Sequence, residues 1–173
     1  GIVMPVSRRY EFLSWASKGE NRYIIEDDYD SELRLGGKPF PTLQSIDVSD
    51  KVIYMNTFTK TLASTVRISY MVLPQTLVET FQEKLGFYAC TVSNFEQYTL
   101  AAFLQQGYFE KHINRMRNFY KNHRNQVIAA LKISALWEMA SIYEEDSGLH
   151  FLLHIKTGKE DAEIKKELAE KGI

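Results

Sequence analysis

The stretch Val52–Pro74, with the sequence VIYMNTFTKTLASTVRISYMVLP, constrains the fold of this chain more than any other. Two apolar runs, Val52–Met55 and Ile68–Leu73, enclose a polar segment rich in hydroxyl side chains. Short apolar runs bounded by turn signals are typical of buried strands. The connection is too short for the helical crossover that joins parallel strands, which takes a dozen or more residues. The pattern therefore predicts that the second strand returns antiparallel to the first.

The polar segment between these two runs carries two cations, Lys60 and Arg67. Lys60 follows the hydroxyl-rich turn Thr57-Phe58-Thr59, so we expect it at the end of the first strand. A single lysine in a loop is most often a solvated surface charge. A functional interpretation of Lys60 depends on which other side chains the fold brings to the same place.

Composition limits the kinds of protein that this chain can be. Its 173 residues suit one domain, or one domain and part of another, and 45% hydrophobic residues suffice for a core. A net charge of −1 gives no general attraction to nucleic acid or membrane surfaces. The single cysteine, Cys90, excludes a disulfide framework and a cysteine-based zinc site within the chain, and it fits a cytoplasmic location. No apolar run approaches the ~20 residues that span a bilayer.

A second strand signal lies upstream of Lys60. The apolar run Tyr23-Ile24-Ile25 is followed by the acidic string Glu26-Asp27-Asp28-Tyr29-Asp30. This pattern predicts a buried strand whose carboxyl end emerges at a polar site, where open α/β sheets bind their ligands. A helix cap or a solvated acidic loop is the alternative. The aperiodic segment Ser31–Val48 that follows, rich in glycine and proline, is predicted to be an irregular loop.

Apolar spacing predicts helices in the rest of the chain. Ser7 is expected to cap the first of them, and Phe95, Ala102 and Phe103 are expected to face inward in the third. The predicted helices are Ser7–Lys18, Leu77–Leu85, Asn94–Gln106, Phe109–Leu131 and Glu160–Lys171, and further strands are predicted at Tyr143 and Leu149–Ile155.

The long helix Phe109–Leu131 has an apolar stripe and a basic face. Such a face can bind nucleic acid, but acidic residues elsewhere cancel the field, and no RNA-binding or helix-turn-helix motif accompanies it. We therefore expect it to be a solvated or subunit-facing side of an amphipathic helix. Its basic side chains are Lys111, His112, Arg115, Arg117, Lys121, His123 and Arg124.

The side chains at the two strand ends suit pyridoxal phosphate. An amine can form a Schiff base with the aldehyde of this cofactor, and a carboxylate can keep its pyridine ring protonated. A phenol can bind the ring oxygen, while a guanidinium and hydroxyls suit the phosphate. A phosphate-binding loop without catalysis would use similar residues, although no glycine-rich Walker pattern is present.

Two motifs resemble those of the fold-type I pyridoxal-phosphate aminotransferases. They are the string from Glu26 to Glu32, and Asn56–Leu62 together with Arg67-Ile68-Ser69-Tyr70. Within that family the chain looks most like the aminotransferase-like domain of MocR-type regulators, a branch of the GntR transcription factors. The resemblance covers most of the chain, including Met4–Trp15 and Ser147–Phe151.

The resemblance implies a role for each matching residue. Lys60 would be the Schiff-base lysine and the catalytic residue. Asp27 would pair with the pyridine nitrogen, and Tyr29 would bond the ring hydroxyl. The residues that would serve the phosphate are Thr57, Thr59 and Arg67. No metal ligand is implied.

The resemblance also implies a fold and a domain organisation. We expect an α/β fragment of the fold-type I large domain, with a mixed and mostly parallel sheet, plus the start of a small α+β domain. Residues 1–108 would be the second half of the cofactor-binding large domain, 109–131 a connecting helix, and 132–173 the start of the small domain. The rest of the cofactor site would lie in sequence before Gly1 and after Ile173.

One departure from the family pattern lies close to the lysine. The family places Ala-Pro-Gly or a similar sequence between lysine and arginine, whereas this chain has Ala63-Ser64-Thr65. The loss of proline and glycine is expected to loosen this loop.

Two functions are consistent with the resemblance. In the first, the chain is part of an effector domain that senses an amino acid or amine through the cofactor on Lys60, in a homodimeric regulator. DNA would then be bound by a winged-helix domain outside this chain. In the alternative, it is part of a stand-alone aminotransferase that transfers an amino group between an amino acid and a 2-oxo acid. A cofactor-free interaction module is a third, different class.

Overall fold

The computed structural model describes residues 4–36, 41–143 and 149–172. This part of the chain contains seven helices and five strands, with short 3₁₀ turns at Ser31–Leu33 and Ala135–Met139. The helices are α1 (Val6–Ser17), α2 (Leu43–Ile46), α3 (Phe58–Thr61), α4 (Gln75–Leu85), α5 (Asn94–Gln105), α6 (Tyr108–Lys132) and α7 (Asp161–Glu170). The strands are β1 (Ile24–Asp27), β2 (Val52–Thr57), β3 (Ser69–Val72), β4 (Ala140–Tyr143) and β5 (Leu152–Ile155).

The first three strands form one sheet in the order β1-β2-β3. β1 and β2 are parallel, and Asp27 lies opposite Met55. β3 returns antiparallel, with Ser69 opposite Thr57, which confirms the predicted antiparallel return. β4 and β5 form a separate antiparallel pair after α6.

The two faces of the three-stranded sheet differ in burial. Val52 and Asn56 lie on one face and are buried beneath the helices. Side chains alternate between faces along a strand, so Ile25, Asp27 and Met55 lie on the other face. That second face is open in this chain, since Ile25 is 66% exposed.

Two carboxylates outside the helices cap helix starts: Glu26 of β1 caps α2, and Asp50, in the turn before β2, caps α4. Both oxygens of Glu26 accept bonds from the first N–H groups of α2, at 2.7 and 3.0 Å. Asp50, which has a left-handed backbone at φ 54°, accepts bonds from Gln75 and Thr76 at the start of α4. A negative charge at a helix N-terminus satisfies the free N–H groups there and opposes the helix dipole. These caps tie α2 to β1 and α4 to the turn that precedes β2.

Most of the predicted helices and strands are confirmed, and four expectations are wrong. β1 is not a buried strand, because none of its residues is buried and Ile25 is 66% exposed on the open face. Ser7 does not cap α1, because the helix begins at Val6 and Pro5 occupies the N-cap position. The segment Ser31–Val48 is not wholly irregular: it contains a 3₁₀ turn and α2, which is stabilised by the distant Glu26. Phe95, expected inward, is 80% exposed, and Ala102 is also exposed.

Two short parts of the predicted elements lie outside the described residues. One is residues 37–40 of the glycine- and proline-rich segment, and the other is residues 144–148, which include the first two residues of the Ser147–Phe151 motif. Across the ranges that the structure describes, no helix has both the length and the apolar character that a membrane span requires.

Candidate functional site

The parallel pairing of β1 with β2 brings the two predicted strand ends together. β1 ends at Asp27 and β2 ends at Thr57, so both carboxyl ends meet at one edge of the sheet. The pairing continues one residue further, because the N–H of Asp28 donates to the carbonyl of Met55 at 2.9 Å. Asp27 and Thr57 therefore lie on the same, open face of the sheet. Asp27 and, two residues later, Tyr29 are both solvent-exposed here.

Lys60 lies on a single helical turn, α3, that starts directly after β2. Thr57 is its N-cap and accepts a bond from the N–H of Thr59 at 3.2 Å through its hydroxyl oxygen. The N–H of Leu62 closes the turn by donating to the carbonyl of Phe58 at 2.9 Å. This short turn leaves the Lys60 side chain exposed at the sheet edge.

The carboxyl of Asp30, in the acidic string that follows β1, has a raised pKa. Burial raises the pKa of the Asp30 carboxyl, and the charge of Asp28 raises it further. The positive charge of Lys60 acts in the opposite direction on the same carboxyl.

Two threonines hold the backbone on either side of Arg67. The hydroxyl of Thr59 donates to the carbonyl of Val66 at 2.8 Å. The hydroxyl of Thr57 lies 3.2 Å from the carbonyl of Ile68, which also accepts from the N–H of Phe58 at 2.9 Å. The Arg67 side chain is exposed between these two fixed carbonyls. The threonines therefore place the arginine beside the lysine turn.

All six predicted site residues thus lie on the two adjacent strand ends and the segment that returns to β3. An amine, a carboxylate, a phenol, a guanidinium and two hydroxyls occupy one sheet edge, which is the set of groups that suits pyridoxal phosphate. The site residues are Asp27, Tyr29, Thr57, Thr59, Lys60 and Arg67.

A buried polar network on the opposite face of the sheet was not predicted from the sequence. The Tyr54 hydroxyl donates to Asp28 at 3.0 Å, and the Asn56 amide donates to Tyr54 and to Glu32, each at 2.9 Å. Ser31 also donates to Asp28, at 2.8 Å. The network ties the acidic string to β2, directly behind the candidate site. The alternation of β2, which places Tyr54 and Asn56 on one face, is the sequence signal that could have revealed it.

Burial changes the acidity of this network. Desolvation raises the pKa of the Glu32 carboxyl, and the negative charge of Asp28 adds to that effect. Desolvation also raises the pKa values of the Tyr54 and Tyr70 hydroxyls. One Glu32 oxygen, Oε2, is buried without a hydrogen-bond partner in the part of the chain that the structure describes. Desolvation and the charge of Asp28 both disfavour the charged form of the Glu32 carboxyl.

Two basic residues of α6 face this side of the sheet. The Nε of Arg117 donates to the carbonyl of Glu32 at 2.6 Å, and the Nε2 of His112 lies 3.0 Å from the carbonyl of Thr61. The expectation that the whole basic face is solvated or subunit-facing is therefore wrong for His112 and Arg117. Periodicity could not separate them from the other basic residues, because the carbonyls that they meet are distant in sequence.

The fold and the site define a class of protein, and comparison with known proteins identifies it. Residues 17–173 match the family described as aminotransferase class I and II, and the chain belongs to that family. It is 29% identical to a kynurenine aminotransferase of Pyrococcus horikoshii whose crystal structure contains PMP. That structure superposes with a TM-score of 0.83 over 99% of this chain and 42% of its own. The fold-type I fold expected from the motifs is confirmed.

Regulators of the MocR type are among the relatives with the most similar sequences. Over its whole length the chain is 41% identical to YdeL of Bacillus subtilis (strain 168), an uncharacterized HTH-type transcriptional regulator. It is 34% identical to MocR of Rhizobium meliloti, a probable rhizopine catabolism regulatory protein. These matches confirm the resemblance to the MocR branch. The chain spans only 37% of YdeL and 35% of MocR.

Removal of the Thr59 hydroxyl is expected to loosen the Arg67 segment. Thr59→Val keeps the shape of the side chain but leaves the Val66 carbonyl without its donor, so the free energy of unfolding should fall by about 1 kcal/mol. Urea unfolding of the intact protein without cofactor measures this change. The matched control is Thr65→Val, an exposed threonine of the same segment, which should change stability by less than about 0.5 kcal/mol. Equal effects of the two substitutions would contradict a structural role for the Thr59 hydroxyl.

Proposed function

We propose that this chain is part of a pyridoxal-phosphate-binding, aminotransferase-like effector domain of a MocR-type transcriptional regulator. One observation carries the proposal: Lys60 lies exposed on the helical turn that directly follows β2, at the edge of the sheet where β1 and β2 both end. The identity of 41% to YdeL over the whole chain supports the regulator rather than the enzyme.

Each candidate residue has a separate task in this proposal. When bound, pyridoxal phosphate supplies an aldehyde that condenses with amines and a ring that withdraws electrons from the attached carbon. Lys60 is the amine that holds the aldehyde carbon. Asp27 accepts the hydrogen bond of the protonated ring nitrogen, and Tyr29 donates to the ring oxygen. The exposure of Asp27 on the open face is consistent with a ring lying against that face.

Arg67, Thr57 and Thr59 form the phosphate side of the proposed site. The guanidinium of Arg67 can bind two phosphate oxygens at once. The threonine hydroxyls already donate to, or lie against, backbone carbonyls near Arg67, so we assign them a dual role. They orient the arginine, and a direct hydrogen bond from Thr59 to phosphate requires its bond to Val66 to open.

The proposal extends to the rest of the protein. Residues 1–108 belong to the large domain, α6 connects it to the small domain that starts after residue 131, and a winged-helix domain outside this chain binds DNA. An amino acid or amine is the effector, and the protein is a cytoplasmic homodimer. Exposed aromatic side chains around the α4–α5 connection support a contact with further protein surface, since such patches mark interfaces. They are Phe87, Tyr88, Phe95 and Tyr98.

The second candidate function is a stand-alone aminotransferase. The TM-score of 0.83 to the kynurenine aminotransferase favours it. In this case the Lys60 amine would hold the cofactor and would also serve as the base that moves a proton at the substrate α-carbon. Both candidate functions use the same cofactor site. In the regulator the bound cofactor controls DNA binding, and in the enzyme it takes part in amino-group transfer.

The covalent role of Lys60 can be tested directly. The intact protein is incubated with pyridoxal phosphate, reduced with borohydride and mapped by mass spectrometry. We expect a phosphopyridoxyl adduct on the peptide that contains Lys60, none on that peptide in Lys60→Ala, and an unchanged adduct in the control Lys84→Ala, an exposed lysine of α4. Asp27→Asn should retain the adduct, because it leaves the amine in place. Attachment that survives Lys60→Ala would refute the assignment.

The regulator and the enzyme predict different responses of the intact protein. For a regulator, the affinity for DNA of its own promoter region should change by about fivefold or more when pyridoxal phosphate and an amine are added, as measured by fluorescence anisotropy. Lys60→Ala should remove this response but not the basal DNA binding. Steady transamination of an amino acid with a 2-oxo acid, without specific DNA binding, would establish the enzyme instead.

A further inference from the structure

Helix α6 contacts both segments that carry the candidate cofactor residues. His112 meets the carbonyl of Thr61, the residue directly after Lys60, at 3.0 Å. Arg117 donates to the carbonyl of Glu32, in the 3₁₀ turn that follows the Asp27–Tyr29 segment, at 2.6 Å. Neither basic residue has a role in the site described above.

Both carbonyls need a partner from outside their own turn. The last carbonyls of a helix have no donor within the helix. Thr61 is the last residue of α3 and is only 2% exposed, so water has little access to it. Glu32 lies in a 3₁₀ turn whose own bonds end at the carbonyls of Asp30 and Ser31. His112 and Arg117 supply the missing donors.

The two contacts of the His112 ring indicate which of its nitrogens donates and which accepts. A carbonyl oxygen can only accept, so Nε2 must carry the proton that it shares with Thr61. The other ring nitrogen, Nδ1, lies 3.3 Å from the guanidinium of Arg115, which can only donate. The tautomer that carries its proton on Nε2 satisfies both contacts.

The bonds to Thr61 and Glu32 both come from one part of α6 that is anchored by burial. Ile113 lies between the two basic residues on the helix and is buried, which seats this part of α6 against the rest of the chain. A straight helix is stiff over a few turns, so the positions of His112 and Arg117 relative to each other are fixed. The two carbonyls are therefore held at a set separation, although their residues are far apart in sequence.

We propose that His112 and Arg117 are positioning residues that set the distance between the Lys60 turn and the Asp27–Tyr29 segment. The proposal rests on the proposed function, in which Lys60 holds the aldehyde carbon of pyridoxal phosphate while Asp27 and Tyr29 hold its ring. A rigid cofactor that bridges two segments needs them at one separation. Displacement by about 1 Å in such a site weakens binding and reaction strongly.

Substitutions that remove one donor at a time test the proposal in the intact protein. In His112→Leu and Arg117→Met, the dissociation constant for pyridoxal phosphate, followed through the visible absorption of the bound cofactor, should rise by about tenfold each. The yield of borohydride-fixed adduct on Lys60 should fall in parallel. The control is Lys121→Gln on the exposed side of α6, which should bind as the wild type does.

Conservative variants separate positioning from packing. His112→Gln places an amide N–H near the position of Nε2, and Arg117→Lys retains a cationic donor, so both should restore the dissociation constant to within about threefold of the wild type. His112→Asn carries the same amide on a shorter side chain and should not restore it. This comparison remains valid if His112→Leu fails to fold.

The results that overturn the proposal are distinct from those that overturn the proposed function. Normal attachment to Lys60 in the wild type, with unchanged affinity in His112→Leu and Arg117→Met, refutes positioning alone. Weakened binding that His112→Gln and Arg117→Lys do not restore also refutes it, because packing then explains the loss. A wild-type protein that takes up no cofactor on Lys60 refutes the proposed function and this proposal together.

Discussion

The candidate site depends on the parallel register of β1 and β2. This pairing places Asp27 opposite Met55, so the last residue of β1 lies beside the end of β2 on the open face. A slip of one residue would turn Asp27 toward the buried face and remove it from the side that carries Thr57. The lysine turn, the arginine segment and β3 all follow from the end of β2. The proposed cofactor site therefore depends on the backbone hydrogen bonds between two short strands, β1 and β2.

Side-chain hydrogen bonds on the buried face of the sheet hold this register in place. Tyr54 and Asn56 of β2 bond to Asp28 and Glu32 of the acidic string, so the residues next to the candidate ligands are fixed from behind. Arg117 of α6 continues this network to a long helix that leads to the β4–β5 pair. Polar networks of this kind stabilise a structure when their members are paired, as Tyr54, Asn56 and Asp28 are here.

Local sequence predicts much of this fold, because periodicity and turn length are local properties. The antiparallel return of β3 follows from a connection too short to cross over, and β1 follows from three apolar residues before acids, although it continues through Glu26 and Asp27. What the sequence could not supply are bonds between distant segments. Glu26 caps α2, and His112 contacts Thr61. These residues are far apart in sequence, so the spacing of apolar and polar residues does not reveal the contacts. The candidate residues were found by motif, whereas the residues that support them required the structure.

A crystal structure of the intact protein grown with pyridoxal phosphate tests the central claim most directly. We predict continuous electron density from Lys60 Nζ to the cofactor, with the Asp27 carboxylate at hydrogen-bond distance from the ring nitrogen and Arg67 on the phosphate. Cofactor bound elsewhere, attached to another lysine, or oriented with its phosphate toward Asp27 would contradict the account.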